Sequence, residues 1–402
     1  MKKTFSLFLI LSISSVLMAQ TGKVMDDLTV PSKILKMDRK YAVYLPPDYG
    51  TSQRSYPVLY LLHDQRLLGP THATSMLNCL HCDFGFNKVD FLHLFNSISY
   101  GSHPWLVTFE HYLPRWNVHS ERGIRLLAAP ACKKVIAMSK FAFEHQCHYL
   151  EEFPVYRETI RKKMCILTPP QRTMVETYDE KNLDRRVVTY TFVGSDFFRK
   201  GGMEILIAFT RLINDGFPTR LNVVSSMDYG DYASRSTIAD VLTAKRLMQA
   251  LGDNLRFYPK LENADVLKLF IASDVGLLPT YDDTYGFSVL EAQAAGCPVI
   301  STDVCALPEI NDDAMGWMIP LPKDRFGIAY RHTKDQRRVI SSIIQERLYT
   351  IMREISSGQG LIREKGVRSL ERVKRECRIE DRVTALEALY HQMLHPGLQS
   401  VL

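Results

Sequence analysis

Residues 272–302 read ASDVGLLPTYDDTYGFSVLEAQAAGCPVIST. Two short apolar runs, Val275-Gly276-Leu277-Leu278 and Pro298-Val299-Ile300, bracket a helical pattern over 287–295. Strand, helix and strand at this spacing form the repeat of a parallel sheet covered on both faces. Between the first run and the helix lies Asp283-Thr284-Tyr285-Gly286. Gly286 lets the backbone approach a ligand closely, and the free N–H groups of the next turn, at Phe287, Ser288 and Val289, point at that ligand with the positive end of the helix dipole. The turn therefore suits an anion. Glu291 follows Phe287 by four residues, one turn deeper on the same helix, where a carboxylate suits adjacent hydroxyls such as a ribose diol. Asp283, on the loop, is placed to accept from hydroxyls of a second sugar. Taken alone, the two acids fit equally well as a helix-start acid and an exposed helical glutamate.

Working outward, the same alternation begins near Val187. Strands are expected at 190–193, 221–225 and 255–258, and helices at 203–212, 238–251 and 266–272. Such a series makes a doubly wound domain. Its first strand runs into Val193-Gly194-Ser195-Asp196-Phe197-Phe198-Arg199-Lys200-Gly201-Gly202. Arg199 and Lys200 sit beside glycines at a helix start, a setting that favours a diphosphate over the commoner solvated basic turn. Both loops fall at carboxyl ends of strands, where open α/β sheets bind ligands.

A weaker alternation over 65–150 predicts a first domain of the same class, with a helix at 71–80, strands at 91–95 and 106–109, and further elements over 126–139 and 141–150. The polar stretch 177–182 marks a boundary near 180–186, and 335–394 reads as a charged helical tail that packs back on the domains. The expected fold is α/β, two Rossmann-like doubly wound domains with a cleft between them, preceded by a signal peptide and a short β segment. In residues these are 1–19, 20–64, 65–185, 186–330 and 331–402.

At this point the chain resembles a retaining glycosyltransferase of the GT-B fold, family 4, over about residues 66–395. The resemblance rests on FVGSDFFRKGG, ASDVGLLPT, DTYGFSVLEAQAAGCPVIST and ALPEI followed by Gly316. The family's acid-x7-acid motif falls on Asp283 and Glu291, with aspartate in place of the usual first glutamate. The resemblance implies a nucleotide-sugar donor, with Lys200 and Arg199 on its diphosphate, Glu291 on the ribose, and Asp283 with nearby backbone on the transferred sugar. Ser195 stands where the family often has arginine, so Arg199 replaces that charge. Ser288 is then expected to cap its helix near the phosphates. Trp105-Leu106-Val107-Thr108-Phe109-Glu110-His111 and Val135-Ile136-Ala137-Met138-Ser139 resemble acceptor-domain segments. They offer His103, Glu110 and His111 as candidates near the acceptor, although a lone histidine is more often structural. No cofactor and no metal are required on this reading, because helix N-termini and the two cations can stabilise the leaving nucleoside diphosphate. Front-face attack with retention and a glycan or lipid-linked acceptor are implied by family alone.

The amino terminus points elsewhere. Lys2 and Lys3 precede an apolar run over 5–18, and Ala19 stands before Gln20, the layout of an export signal. A buried first strand or helix is the alternative. RKYAVYLPPDYG and YPVLYLLHD, at 39–50 and 56–64, resemble the opening strands of secreted α/β-hydrolase esterases. A nucleophile elbow G-x-S-x-G is missing, the nearest approach being Gly286-Phe287-Ser288-Val289-Leu290. Asp64 also replaces the glycine of the oxyanion loop. Export and an intracellular donor do not fit one compartment, so residues 1–64 read as a foreign terminus joined to a truncated transferase, with 58–62 standing in for its first strand and Gly69-Pro70-Thr71-His72 as a remnant loop. A secreted hydrolase and a nucleotide-binding protein without turnover stay open beside the transferase.

Composition narrows the field. Of 402 residues 46% are hydrophobic and 23% charged, which excludes collagen-like, mucin-like and largely disordered chains. Lysine and arginine exceed aspartate and glutamate by 50 − 44 = 6, too diffusely for a nucleic-acid groove. Peripheral contact with an anionic membrane is compatible with that charge. Eight cysteines are too few for a disulfide scaffold. Cys79 and Cys82 have the spacing of a zinc half-site, but no second pair follows at the required distance.

Overall fold

The computed structural model describes residues 90–115, 120–181, 183, 186–230, 233–358 and 360–394, and the backbone alone of strands 23–32, 37–45, 61–62 and 80–81. Its contacts divide the chain into two units, Met1–Val58 and Leu59–Leu402. The first unit holds β1 (Lys23–Ser32) and β2 (Met37–Leu45), an antiparallel pair with Val30 opposite Arg39 and a register shift between Met25 and Leu28. The signal peptide expected over 1–19, the Cys79/Cys82 pair, Asp64 and residues 69–72 lie outside the described residues.

The second unit contains two parallel sheets. The first begins with β3 (Leu61–Leu62), β4 (Leu80–His81), β5 (Leu92–Phe95), β6 (Ile98–Ser99) and β7 (Trp105–Phe109), and continues through helix α1 (Ser120–Ala128), β8 (Cys132–Ala137), α2 (Lys140–Tyr149), α3 (Pro154–Arg161) and β9 (Met164–Ile166). Its five strands run in the order β3-β5-β7-β8-β9, while β4 and β6 pair separately. Leu61 and Leu62 lie alongside His93 and Leu94 in parallel register, which places them on the edge of this sheet. The helix expected at 71–80 falls on residues not described, apart from Leu80, which opens a strand instead. α3 and β9 were not anticipated; Pro154 at the first helical position supplies a start signal there.

The second sheet comprises β10 (Val188–Val193), α4 (Gly202–Asn214), β11 (Thr219–Val224), α5 (Ile238–Leu251), β12 (Leu255–Tyr258), α6 (Asn263–Ile271), β13 (Val275–Leu278), α7 (Phe287–Ala294), β14 (Val299–Thr302), α8 (Leu307–Ile310) and β15 (Trp317–Ile319). Strand order is β12-β11-β10-β13-β14-β15, all parallel. Counted from β10 that is 3-2-1-4-5-6, with a topological switch point between β10 and β13, where such sheets bind ligands. β13 and β14 are buried at every residue, as expected of central strands covered on both faces. The sixth strand, β15, has only three residues and follows no clear apolar run, which hides it from periodicity.

Three helices complete the chain, α9 (Lys334–Ser357), α10 (Gly360–Glu376) and α11 (Ile379–Leu394). α9 packs on α4, where the Tyr190 hydroxyl also reaches the Met352 carbonyl at 3.2 Å. α11 crosses to the first sheet: Leu389, Tyr390 and Met393 cover Phe91, Leu106 and Ile136, and the Tyr390 hydroxyl lies 2.7 Å from His93 Nδ1. The polar stretch is interior at Tyr178 and Lys181. Lys181 is buried, and its ammonium donates to the Phe270 and Ala295 carbonyls at 3.1 and 2.7 Å, beside Cys297 Sγ.

Candidate functional site

The two loops singled out in the sequence meet at the switch point. Gly201 caps α4 with φ +83°, and a Cβ there would stand 2.2 Å from the Pro279 carbonyl oxygen, so no side chain fits where the loops touch. Gly286 caps α7 with φ +87°, its Cα hydrogen facing Leu307 at a distance that admits no Cβ. Tyr281 N donates to the Arg199 carbonyl at 2.9 Å, and the Thr280 hydroxyl lies between the Asp282 and Arg199 carbonyls, at 2.8 and 3.1 Å. The loops are thus joined through backbone, and the amino ends of α4 and α7 open on one place.

Lys200 and Asp283 face each other there, Nζ to Oδ2 at 3.3 Å. Asp283 Oδ1 accepts from the Gly286 and Tyr285 amides at 2.9 and 3.3 Å. Burial works against its charge, but Lys200, Arg199 and the Gly286 amide outweigh it and hold the carboxyl below its ordinary value. The aspartate is turned toward its own loop and toward Lys200. Gly194 lies against the Lys200 side chain, so that a Cβ would meet its Cδ at 2.4 Å. Glu291 accepts from Asn263 Nδ2 at 3.0 Å. Burial pushes its carboxyl up, against the pull of Asn263 and Lys200.

Two expected roles are redistributed. The Arg199 guanidinium bonds Asp196 through Nε and Nη2 and the Asp282 carbonyl through Nη1 at 2.6 Å, so it braces the loops while Lys200 is the cation beside the turn. Ser288 does not cap its helix. Gly286 is the cap residue and α7 has no side-chain cap bond; Ser288 is the second helical residue, with a buried Oγ that has no hydrogen-bond partner among the described residues. A hydroxyl without a base beside it is not an activated nucleophile. Phe287 is exposed and packs its ring on Tyr285, whereas the Val289 side chain is buried and its amide is already bonded to the Gly286 carbonyl.

The first sheet contributes its own strand ends. Glu110 and His111 follow β7 at its carboxyl end, and Thr284 Oγ1 donates to Glu110 Oε2 at 3.3 Å, which brings the carboxyl ends of the two sheets together. The Glu110 amide is held by Asn96 Oδ1 at 3.1 Å, and Asn96 is a buried residue at φ +53°. His111 packs edge-on to His145, with ring centroids 4.2 Å apart. Burial, reinforced by His145, Arg115 and Arg331, holds its pKa down to about 3, so the ring is neutral. His103 does not join them. It precedes β7, at the opposite end of a five-residue strand, roughly 17 Å away at about 3.3 Å per residue. Sequence reading missed Asn96, Thr284 and Asn263 because their partners are distant in the chain. Among the described residues no group of three or more His, Cys, Asp or Glu is arranged to hold a metal, and no helix is long and apolar enough to cross a membrane.

Residues 187–330 match the family model for glycosyl transferases, group 1. The matched segment runs from the start of β10 to past β15 and contains both loops of the switch point. D-inositol 3-phosphate glycosyltransferase of Segniliparus rotundus is 28% identical over 141 residues, 35% of this chain and 30% of that protein. The chain thus spans less than a third of that relative. Sucrose-phosphate synthase of Thermosynechococcus elongatus superposes with a TM-score of 0.50 at 18% identity, covering 77% of this chain and 75% of that one. Anabaena HepE in complex with UDP-glucose gives 0.51 at 10% identity, covering 76% and 79%. The group 1 match and these superpositions agree on an α/β fold of two parallel sheets, the architecture of GT-B glycosyltransferases.

Proposed function

We propose that the chain is a glycosyltransferase that moves a sugar from a nucleotide-sugar donor to an acceptor hydroxyl with retention, in the assembly of a surface glycan. The observation that carries this reading is the convergence of Lys200, Asp283 and the start of α7 at the switch point, with the Lys200 ammonium 3.3 Å from Asp283. The donor diphosphate lies against the Phe287 and Ser288 amides, which have no intrahelical acceptor, with the Lys200 ammonium as counter-charge and the Ser288 hydroxyl as a further donor. Charge that develops on the leaving diphosphate meets fixed dipoles and a cation, so the reading requires no metal. Glu291, held by Asn263, accepts from the ribose diol. Asp283 contributes mainly by keeping Lys200 in place, and Glu110 faces the transferred sugar and the acceptor hydroxyl from the other sheet. His111, neutral, offers a hydrogen bond rather than a charge.

UDP heads the nucleotides to test, because HepE, whose fold this chain shares, was solved with UDP-glucose. Calorimetric titration of UDP, other nucleoside diphosphates and their sugars into the parent and Glu291→Ala is the test. A ligand that binds the parent and is weakened at least tenfold by the substitution is the expected result. A folded parent that binds none of them overturns the reading.

A further inference from the structure

The first amides of a helix have no intrahelical acceptor, and in α2 those of Lys140, Phe141 and Ala142 are all bonded. Ser139 takes the last of these, its hydroxyl accepting from Ala142 at 3.0 Å, while its carbonyl accepts the first intrahelical bond, from Phe143 at 3.1 Å. The amides of Lys140 and Phe141 donate instead to Glu309, to Oε2 at 2.8 Å and Oε1 at 2.7 Å. Glu309 stands on α8, in the other sheet domain, 168 residues beyond Phe141. One carboxylate from the second domain therefore completes a helix of the first. Both bonds are charge-assisted and lie on the positive end of the α2 dipole.

Glu309 is anchored to the site. Its carbonyl accepts from Arg372 Nη2 at 3.4 Å, Arg372 Nη1 donates to Gln293 Oε1 at 3.0 Å, and Gln293 Nε2 donates to the Ile310 carbonyl at 2.7 Å. Gln293 is fully buried on α7, two residues after Glu291. On the other side, the Met138 amide, one residue before Ser139, donates to the Phe109 carbonyl at 3.0 Å, and Glu110 is next in the chain. A short series of bonds thus runs from the backbone at Glu110 to the helix carrying Glu291, and the Glu309 carboxylate is its interdomain link.

We propose that Glu309 is an interdomain positioning residue, a latch that docks the amino end of α2 on the second domain and sets the approach of Glu110 to the Thr284 loop. It touches neither donor nor acceptor. The contact between Thr284 and Glu110, at 3.3 Å, is too long to fix that spacing alone. The catalytic consequence rests on the glycosyltransferase reading, whereas the latch itself rests on geometry.

The test compares the parent with Glu309→Ala, Glu309→Gln and Glu309→Asp. Hydrogen exchange resolved at single amides should accelerate at least tenfold at Lys140 and Phe141 in Glu309→Ala, with Ala142, which Ser139 holds, changing less than twofold. Solution scattering should show a larger radius of gyration for that variant. UDP affinity should stay within about threefold of the parent, and kcat for UDP-sugar consumption should fall at least tenfold with donor KM little changed. The aspartate variant should recover part of the loss, the glutamine variant less, because its amide nitrogen cannot accept. Unchanged protection at Lys140 and Phe141, or an unchanged kcat, overturns the proposal. So does exchange raised equally through β8 and β10, which marks a general loss of stability. A parent that binds no UDP sinks the donor reading, while exchange and scattering still decide the latch.

Discussion

Single residues at the turn carry opposite signs for stability and binding. The Ser288 hydroxyl is buried without a partner among the described residues, a cost the fold bears whenever no ligand is present. Ser288→Ala should therefore unfold at the same denaturant concentration as the parent or a slightly higher one, and bind UDP about three- to tenfold more weakly. Reduced stability with unchanged UDP affinity would assign the hydroxyl to packing. Gly286→Ala should act differently, since φ is +87° and the new Cβ would stand 2.5 Å from Leu307 Cδ2. A loss of about 1–3 kcal/mol in urea unfolding is expected, and a loss below about 0.5 kcal/mol would show that α8 yields easily. The motif letters at 283–291 were readable because a left-handed glycine before a helix is a local signal. The pairing of Asp283 with Lys200 was not, because it joins loops 83 residues apart.

At the scale of elements, two lysines finish helices that end inside the fold. Lys163 Nζ donates to the Leu127, Ala128 and Ala129 carbonyls at 2.9, 2.8 and 2.7 Å, closing α1. Lys181 does the same for α6 and α7 through Phe270 and Ala295. Helix ends leave carbonyls that need donors, and a cation there also meets the negative end of the dipole. Lys181→Met keeps the length and removes the donors. It should destabilise the fold by about 2–4 kcal/mol, read from thermal or urea unfolding. A change under about 1 kcal/mol would mean that water replaces the ammonium. In sequence Lys181 sits within a polar run and reads as linker; only packing against Cys297 shows that it is interior.

For the whole molecule, pH connects the sheets to the helices laid over them. His93 is buried between Tyr390 of α11 and Thr108 of β7, at 2.7 and 2.8 Å, and burial lowers its pKa to about 4. His111 is lowered to about 3. Both folded values lie below the ordinary 6.5, so the unfolded chain binds more protons between them. Stability is then fully present above pH about 6.5 and is lost as pH falls toward 4, His93 alone contributing on the order of 3 kcal/mol. Urea midpoints at pH 7.5 and 5.0 should show that fall, and His93→Gln should flatten it. Equal midpoints in the parent at both values would contradict the burial of these rings.

Five of the six strands of the second sheet and the helices between them were legible in the amino-acid order alone, because each carries a hydrophobic period short enough to read locally. α5, β12 and β13 fall on the expected residues 238–251, 255–258 and 275–278. It also put Lys200 and Asp283 on loops at strand ends and Glu291 one turn into the helix that follows. Tertiary structure decided what those residues touch: Arg199 braces loops through Asp196 and Asp282, Ser288 caps nothing, and His103 falls at the far end of β7. It alone placed Glu309 on the start of α2 and α11 on the first sheet. Periodicity reports which face of an element is buried; it does not report which distant element covers that face, since such contacts depend on how the sheets pack.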